Sequence, residues 1–163
     1  MAARAMDAET RAERDDHTAI RLWLRMLATN RLVETRTRRL LQERYRTTLP
    51  RFDLMAQLER APEGLKMGEL SQRMMVTGGN VTGITDMLED EGLVERAADP
   101  GDRRATRVRL TVAGRRAFAA MAVAHERWIV EAFGAMTKRE MSAMAALLAR
   151  LKAHVRTLEE RDR

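Results

Sequence analysis

One stretch of this chain alternates with the period of a β-hairpin, and its position constrains everything around it. Leu93 to Ala97 and Thr106 to Leu110 are short alternating runs, joined by Ala98-Asp99-Pro100-Gly101-Asp102-Arg103-Arg104-Ala105. With Val94, Val108 and Leu110 on the inner side, the pattern predicts a two-stranded hairpin whose exposed tip carries arginines. The flanking sequence reads as helix. Three prolines, nine glycines and 45% hydrophobic against 33% charged residues describe a folded helical chain. A length of 163 residues suits one domain and excludes a large barrel enzyme.

Without cysteine there are no disulfides, thiolate nucleophiles or cysteine-held metals. The apolar runs are too short to span a membrane, and the first sixteen residues carry acids where a secretory signal has an apolar core, so the expected location is the cytoplasm. The net charge of +6 comes almost wholly from arginine, lysine occurring only at 66, 138 and 152. A mild positive charge alone is weak evidence for a nucleic-acid partner, so its placement matters more.

Residues 1–16 alternate small and charged types without an apolar period and are expected to form a flexible tail. A long helix follows, from about Asp16 to Tyr45. It carries one apolar face of Ile20, Trp23, Leu24 and Leu27 and a second of Leu22, Met26, Val33 and Leu40. Three short helices are expected next: Arg51 to Arg60, Met67 to Met75 after a stub of strand at Leu65-Lys66, and a third that starts at Thr77 as N-cap and runs to Gly92. Their inward residues are Phe52, Leu54, Met55 and Leu58, then Leu70 and Met74, then Val81, Ile84 and Leu88. Beyond the hairpin, Thr111 caps a helix to about Phe133, which Gly134 ends. Thr137 and Glu140 form a capping box for a last helix striped with Met141, Met144, Leu148, Leu151, Val155 and Leu158.

Helix, helix, helix, hairpin is the order of a winged helix-turn-helix. In that fold the third helix enters the DNA major groove and the hairpin tip reaches a neighbouring minor groove or the backbone. The fold class expected is therefore mainly α (α+β), with about six helices and a two-stranded wing, dimerised through the N- and C-terminal helices. Between Asp102 and Arg116 lie Arg103, Arg104, Arg107, Arg109, Arg115 and Arg116 against a single acid, which places the excess charge on the wing and the helix after it.

Three blocks carry a family resemblance: GELSQRMMVTGGNVTGITDMLEDEGLVER, then Asp99-Pro100-Gly101-Asp102-Arg103-Arg104, then Val108-Arg109-Leu110-Thr111-Val112-Ala113-Gly114. Together they resemble the helix-turn-helix and wing of the multiple antibiotic resistance regulator (MarR) family, over residues 17–158. The resemblance implies a single domain over 17–163, with dimerisation helices at 17–46 and 111–160 and a DNA-binding lobe at 47–110. It further implies a homodimer on a pseudo-palindromic double-stranded operator, acting as a repressor released by a small aromatic acid or a related ligand. Matched by position, Arg104 is the wing arginine of the minor groove and Asp102 the acid that orients it. Arg103 is expected on a phosphate.

On the third helix Gly79, Asn80, Thr82 and Gly83 lie opposite the buried register and are expected to face DNA, with Asn80 able to pair with adenine. Common members carry a larger polar or basic residue where Gly83 stands. Asp86, Glu89, Asp90 and Glu91 would repel phosphates and are expected to turn toward the protein. The alternative reading of Asn80 is local backbone capping, and of Asp102 with Arg104 an ordinary surface ion pair.

LWLRMLATNRLVE resembles the branch that controls aromatic-compound degradation, some members of which respond to aromatic acids or their coenzyme A thioesters. Trp23, Arg25, Phe52, His125 and Trp128 are candidate lining of an effector pocket, with core or surface packing as the competing role for each. An enzyme is not expected: His17, His125 and His154 are scattered, no metal-ligand spacing occurs, and Gly78, Gly79 and Gly83 lack the Lys-Ser/Thr of a phosphate loop. No cofactor or metal is implied. The rival to a DNA-binding regulator is a structural or protein-interaction module.

Overall fold

A computed structural model describes residues 8–75, 77–99 and 106–161, the first nine of them by their backbone alone. The element order is α1 (Ala8–Tyr45), α2 (Leu49–Glu59), β1 (Leu65–Lys66), α3 (Met67–Met74), α4 (Gly78–Asp90), β2 (Val94–Ala98), β3 (Thr106–Leu110), α5 (Val112–Ala132) and α6 (Lys138–Arg161). The chain divides into two compact units, Met1–His125 and Glu126–Arg163.

The first unit is built on a three-stranded antiparallel sheet of order β1-β3-β2. Leu65 pairs with Val108 on one side of β3, while Val94 pairs with Leu110 and Arg96 with Val108 on the other. The hairpin is thus the expected wing, with the Leu65-Lys66 stub recruited as its third strand. α2, α3 and α4 contact one another and the strands. The residues that carry those contacts follow the helical and strand periods: Phe52, Leu54, Met55, Leu58, Leu70, Val81, Leu88, Val94, Val108 and Leu110 are all buried.

α1 starts at Ala8, where the sequence pattern placed a tail up to residue 16. The segment Ala-Glu-Thr-Arg-Ala-Glu-Arg-Asp-Asp has no apolar stripe but consists largely of strong helix formers with an acid near the N-terminus. Periodicity detects a buried face, and propensity needs none. Residues 1–7 lie outside the described residues. The two apolar faces expected on this helix fare differently along its length. Thr37, Leu40 and Leu41 are buried, whereas Ile20, Leu22, Trp23 and Leu24 are each more than half exposed.

In the second unit, α6 opens with the expected capping box. The Thr137 backbone N–H donates to Glu140 Oε2 at 2.7 Å, and the Glu140 N–H donates to Thr137 Oγ1 at 3.2 Å. The Thr137 N–H bond, with a second donated by the Thr137 hydroxyl to the same Oε2 at 2.8 Å, favours the ionised carboxylate and holds Glu140 below its ordinary range. The stripe Met144, Leu148, Leu151, Val155, Leu158 is present in helical register but uncovered, and α6 buries no residue.

Thr111 caps α5 as expected, its hydroxyl oxygen accepting from the Gly114 N–H at 2.9 Å while its own backbone N–H donates to Leu93 O at 3.1 Å. This brings the start of α5 against the end of the α4–β2 turn. A Cβ at Gly114 would lie 1.9 Å from Leu93 O, closer than any atom pair can stand. Gly114→Ala is accordingly expected to cost about 3 kcal/mol or to prevent folding. Gly83→Ala, in helical conformation with no atom within 4 Å of the new Cβ, should instead raise stability by about 1 kcal/mol. Urea unfolding of both variants checks the pair.

Candidate nucleic-acid interface

The helix-turn-helix is assembled from backbone bonds at each junction. The Lys66 N–H donates to Glu69 Oε2 at 2.7 Å and starts α3. Met75 ends that helix in the left-handed region, φ +54°, with its side chain 92% exposed. Thr77 occupies the N-cap of α4 as expected, but its side chain makes no capping bond. Its carbonyl accepts from the Asn80 and Val81 N–H groups.

α4 buries Val81, Thr85 and Leu88, while Ile84, expected inside, is only half-buried. Thr85 takes that place, which a polar type would not suggest. Its hydroxyl donates to Val81 O at 2.8 Å, which removes the cost of burying it. On the opposite side Gly79, Asn80, Thr82 and Gly83 are all exposed. The Thr82 hydroxyl donates to Gly78 O at 3.1 Å. α4 therefore presents a low, uncharged first turn and a half, with one amide side chain that has two donors and an acceptor.

Asp102, Arg103 and Arg104 lie outside the described residues. What is described is the base from which the wing tip springs. Asp99 is 6% exposed, and Arg107 Nε donates to its Oδ2 at 2.5 Å. Lys66 Nζ lies 3.6 Å from the same oxygen, and Arg107 Nη1 donates to Gly64 O at 3.0 Å. One carboxylate thus ties β1 to the two sides of the wing hairpin where its loop begins and ends. The sequence pattern marked Asp99 only as a turn residue, because its partner Arg107 sits eight residues away across the loop. Arg109 Nε donates to Glu95 Oε1 at 2.7 Å, a pair that the cross-strand register aligns directly and that hairpin pairing alone makes findable.

The acids of α4 do not all turn toward the protein. Asp86, Asp90 and Glu91 are exposed and Glu89 is half-buried. Pairing takes the place of burial: Arg96 of β2 bridges Asp86 and Glu89, and Arg51 of α2 meets Glu91 at the helix end. The two carboxylates hold the Arg96 guanidinium above its ordinary value.

Of the candidate effector residues, the structure brings Phe52 and His125 together. Phe52 is buried and stacks on Phe118 at 5.4 Å and against His125 at 4.8 Å between ring centroids, forming an aromatic cluster between α2 and α5. Trp23 and Arg25 are exposed on α1, where Arg25 lines a surface hollow with Thr18, Arg21 and Leu22. Trp128 is buried in the second unit. Helical periodicity ranks residues by face but does not say how far along a 38-residue helix the neighbouring elements reach. Burial holds the His125 imidazole below its usual value. The Asp53 carboxyl is raised, by desolvation first and then by Glu34, with Arg38 opposing.

Among the described residues no helix is long and apolar enough to cross a membrane, and no three His, Cys, Asp or Glu side chains are placed to hold a metal ion.

The MarR family model matches residues 47–106, the span from the loop before α2 to the start of β3. A MarR family transcriptional regulator from Silicibacter pomeroyi, solved by crystallography, is 35% identical. That match covers 86% of this chain and 97% of the other, with a TM-score of 0.72. A mutant of MarR from Escherichia coli, crystallised in complex with operator DNA, superposes with a TM-score of 0.73 over 82% of this chain and 95% of the other; at 22% identity it speaks to the fold. The HTH-type transcriptional regulator PrsX of Escherichia coli is 33% identical over 91 residues, 56% of this chain. The match spans about half the length of that curated relative, 55%.

Asp99→Asn keeps one acceptor but removes the charge facing Arg107 and Lys66. It is expected to cost about 2 kcal/mol and to speed amide exchange along β3, read by hydrogen exchange. For His125 the sign follows from its depressed value. The unfolded chain binds the proton more tightly, so stability is complete above about pH 6.5, the ordinary imidazole value, and falls as pH drops below it. Urea titrations of wild type and His125→Phe between pH 7 and 5 should show the smaller loss in the variant.

Proposed function

This chain belongs to the MarR family, and from that premise we propose that it is a transcriptional regulator that binds double-stranded DNA as a homodimer. The observation that carries the reading is the lobe itself. An exposed, polar α4 start stands beside an arginine-bearing wing whose base is anchored by Asp99, on a fold shared with a regulator 35% identical over most of its length. α4 enters the major groove, with Asn80 pairing adenine, Thr82 meeting phosphate or thymine methyl, and Gly79 and Gly83 allowing close approach. Arg104, oriented by Asp102, enters the minor groove, and Arg103 holds a phosphate.

The dimer is supported by two uncovered apolar surfaces, the Ile20 to Leu24 segment of α1 and the stripe of α6, each of which a second copy would bury. A two-fold dimer places its recognition helices on half-sites about one helical turn apart, roughly 10 base pairs, in an inverted repeat. Repression and a cytoplasmic location follow the same family reading. Release by a small aromatic acid or its coenzyme A thioester, as in the branch controlling aromatic-compound degradation, rests on the resemblance of LWLRMLATNRLVE to that branch, with the two arginines Arg21 and Arg25 beside a surface hollow of α1 as its support. Thermal shift and DNA release with benzoate-type acids and their thioesters test that branch, and saturable release is the expected outcome.

A duplex selected by the protein from a random pool, followed by mobility shifts across salt, tests the main proposal. Tight, sequence-selective binding is expected, with a steep salt dependence. Asn80→Ala should lose about 1 to 3 kcal/mol at one symmetric pair of positions with the salt slope unchanged, whereas Arg103→Ala should weaken all duplexes and lower the slope by about one. Arg104→Ala and Asp102→Ala should be non-additive, since one residue acts through the other. Sedimentation should show a dimer at micromolar concentration. A folded monomer that binds the duplex with full affinity would overturn the architecture.

A further inference from the structure

The second half of α4 carries Asp86, Glu89 and Asp90, with Glu91 as its C-cap, and no basic residue, an arrangement opposed to docking on a polyanion. Asp86 lies one helical turn beyond Thr82 and Gly83, so it shares the face proposed to meet DNA. It is also exposed. Arg96, on β2 of the wing, reaches across to this helix and engages both Asp86 and Glu89 with separate nitrogens of one guanidinium. The planar fork allows a single side chain to serve two carboxylates three residues apart, which a lysine cannot do with equal geometry.

We propose that Arg96 is a positioning residue that masks the acids of the recognition helix, offsetting one of the two charges of Asp86 and Glu89 and drawing both carboxylates toward β2 so that α4 can approach phosphate. The inference rests on the DNA-binding reading above. Arg96 need not touch DNA to do this: its side chain is directed at the helix, and its cation is matched by two anions. The link between α4 and β2 does not depend on the ion pairs alone, because the Arg96 backbone N–H also donates to Glu89 Oε1 at 3.2 Å. A glutamine at 89 keeps that acceptor. The charges can therefore be removed while the helix remains tied to the wing.

The test uses the full chain and the duplex that the wild-type protein selects from a random pool. Arg96→Met should weaken binding on the order of tenfold to a hundredfold through the repulsion of two uncompensated carboxylates. Adding Asp86→Asn and Glu89→Gln to Arg96→Met should restore affinity to within about threefold of wild type, with the wild-type salt slope. Melting and sedimentation confirm that each variant is a folded dimer. Should Arg96→Met not fold, Arg96→Lys keeps a cation without the fork and is expected to lose about threefold to tenfold, restored by the same two neutral substitutions. Failure of the neutral pair to restore binding, with a salt slope lowered by about one, would overturn the masking role and assign Arg96 a phosphate contact. Wild-type affinity in Arg96→Met would overturn it outright. If the wild-type protein selects no duplex, the DNA-binding reading falls, and the inference with it.

Discussion

The register of β3 is the constraint on which the winged-helix lobe depends. β3 is the middle strand, and its Val108, with no exposed surface, is paired to Leu65 on one side and Arg96 on the other. Because side chains alternate, the register that turns Val108 and Leu110 into the core turns Arg107 and Arg109 to the other face. There Arg107 meets Asp99 and Gly64, and Arg109 meets Glu95. A slip of one residue would bury two guanidinium groups and expose the apolar pair. Core and ion pairs therefore select the same alignment, and the wing leaves the lobe in one direction.

The arginine content has a different meaning once its partners are known. A chain of net charge +6 suggests a surface of free cations, yet Arg51, Arg96, Arg107 and Arg109 are all engaged by carboxylates. Exposed pairs of this kind contribute little each. The exceptions are Asp99, buried and shared between Arg107 and Lys66, and Arg96, shared between two acids of α4. Both join segments distant in sequence, so their effect is on the relative placement of helix, strand and loop more than on total stability.

The long helices follow another logic. The second half of α1 is a component of the first unit, buried at Thr37, Leu40 and Leu41, while the first half holds an apolar surface in solvent. α6 is amphipathic along its length and buries nothing. Helices of this length bearing an apolar stripe gain most of their stability from packing that stripe away, so each is incomplete within one chain. The homodimer proposed above would cover both stripes, and the winged-helix lobe would then be tied to elements buried between two copies.

Much of this was legible in the amino-acid order. The helical and strand periods predicted α2, α3, α4 and the hairpin with their buried residues, and Thr111, Thr137 and Glu140 announced the starts of α5 and α6, because these signals act over three or four residues of chain. The helix-turn-helix and wing blocks pointed to the family. Other features had no local signal. Thr85 replaced Ile84 in the core because packing of α4 on its neighbours sets its rotation, and a back-bonded hydroxyl is cheap to bury. α1 extended to Ala8 because helix propensity acts without an apolar period. The aromatic cluster of Phe52, Phe118 and His125, the Asp99 anchor and the Arg96 bridge join residues 7 to 73 positions apart. Sequence determined which segments are helix or strand and which face of each is apolar, since those depend on near neighbours. Tertiary structure alone decided which charges meet and which apolar faces stay uncovered, since both depend on where distant segments come to rest.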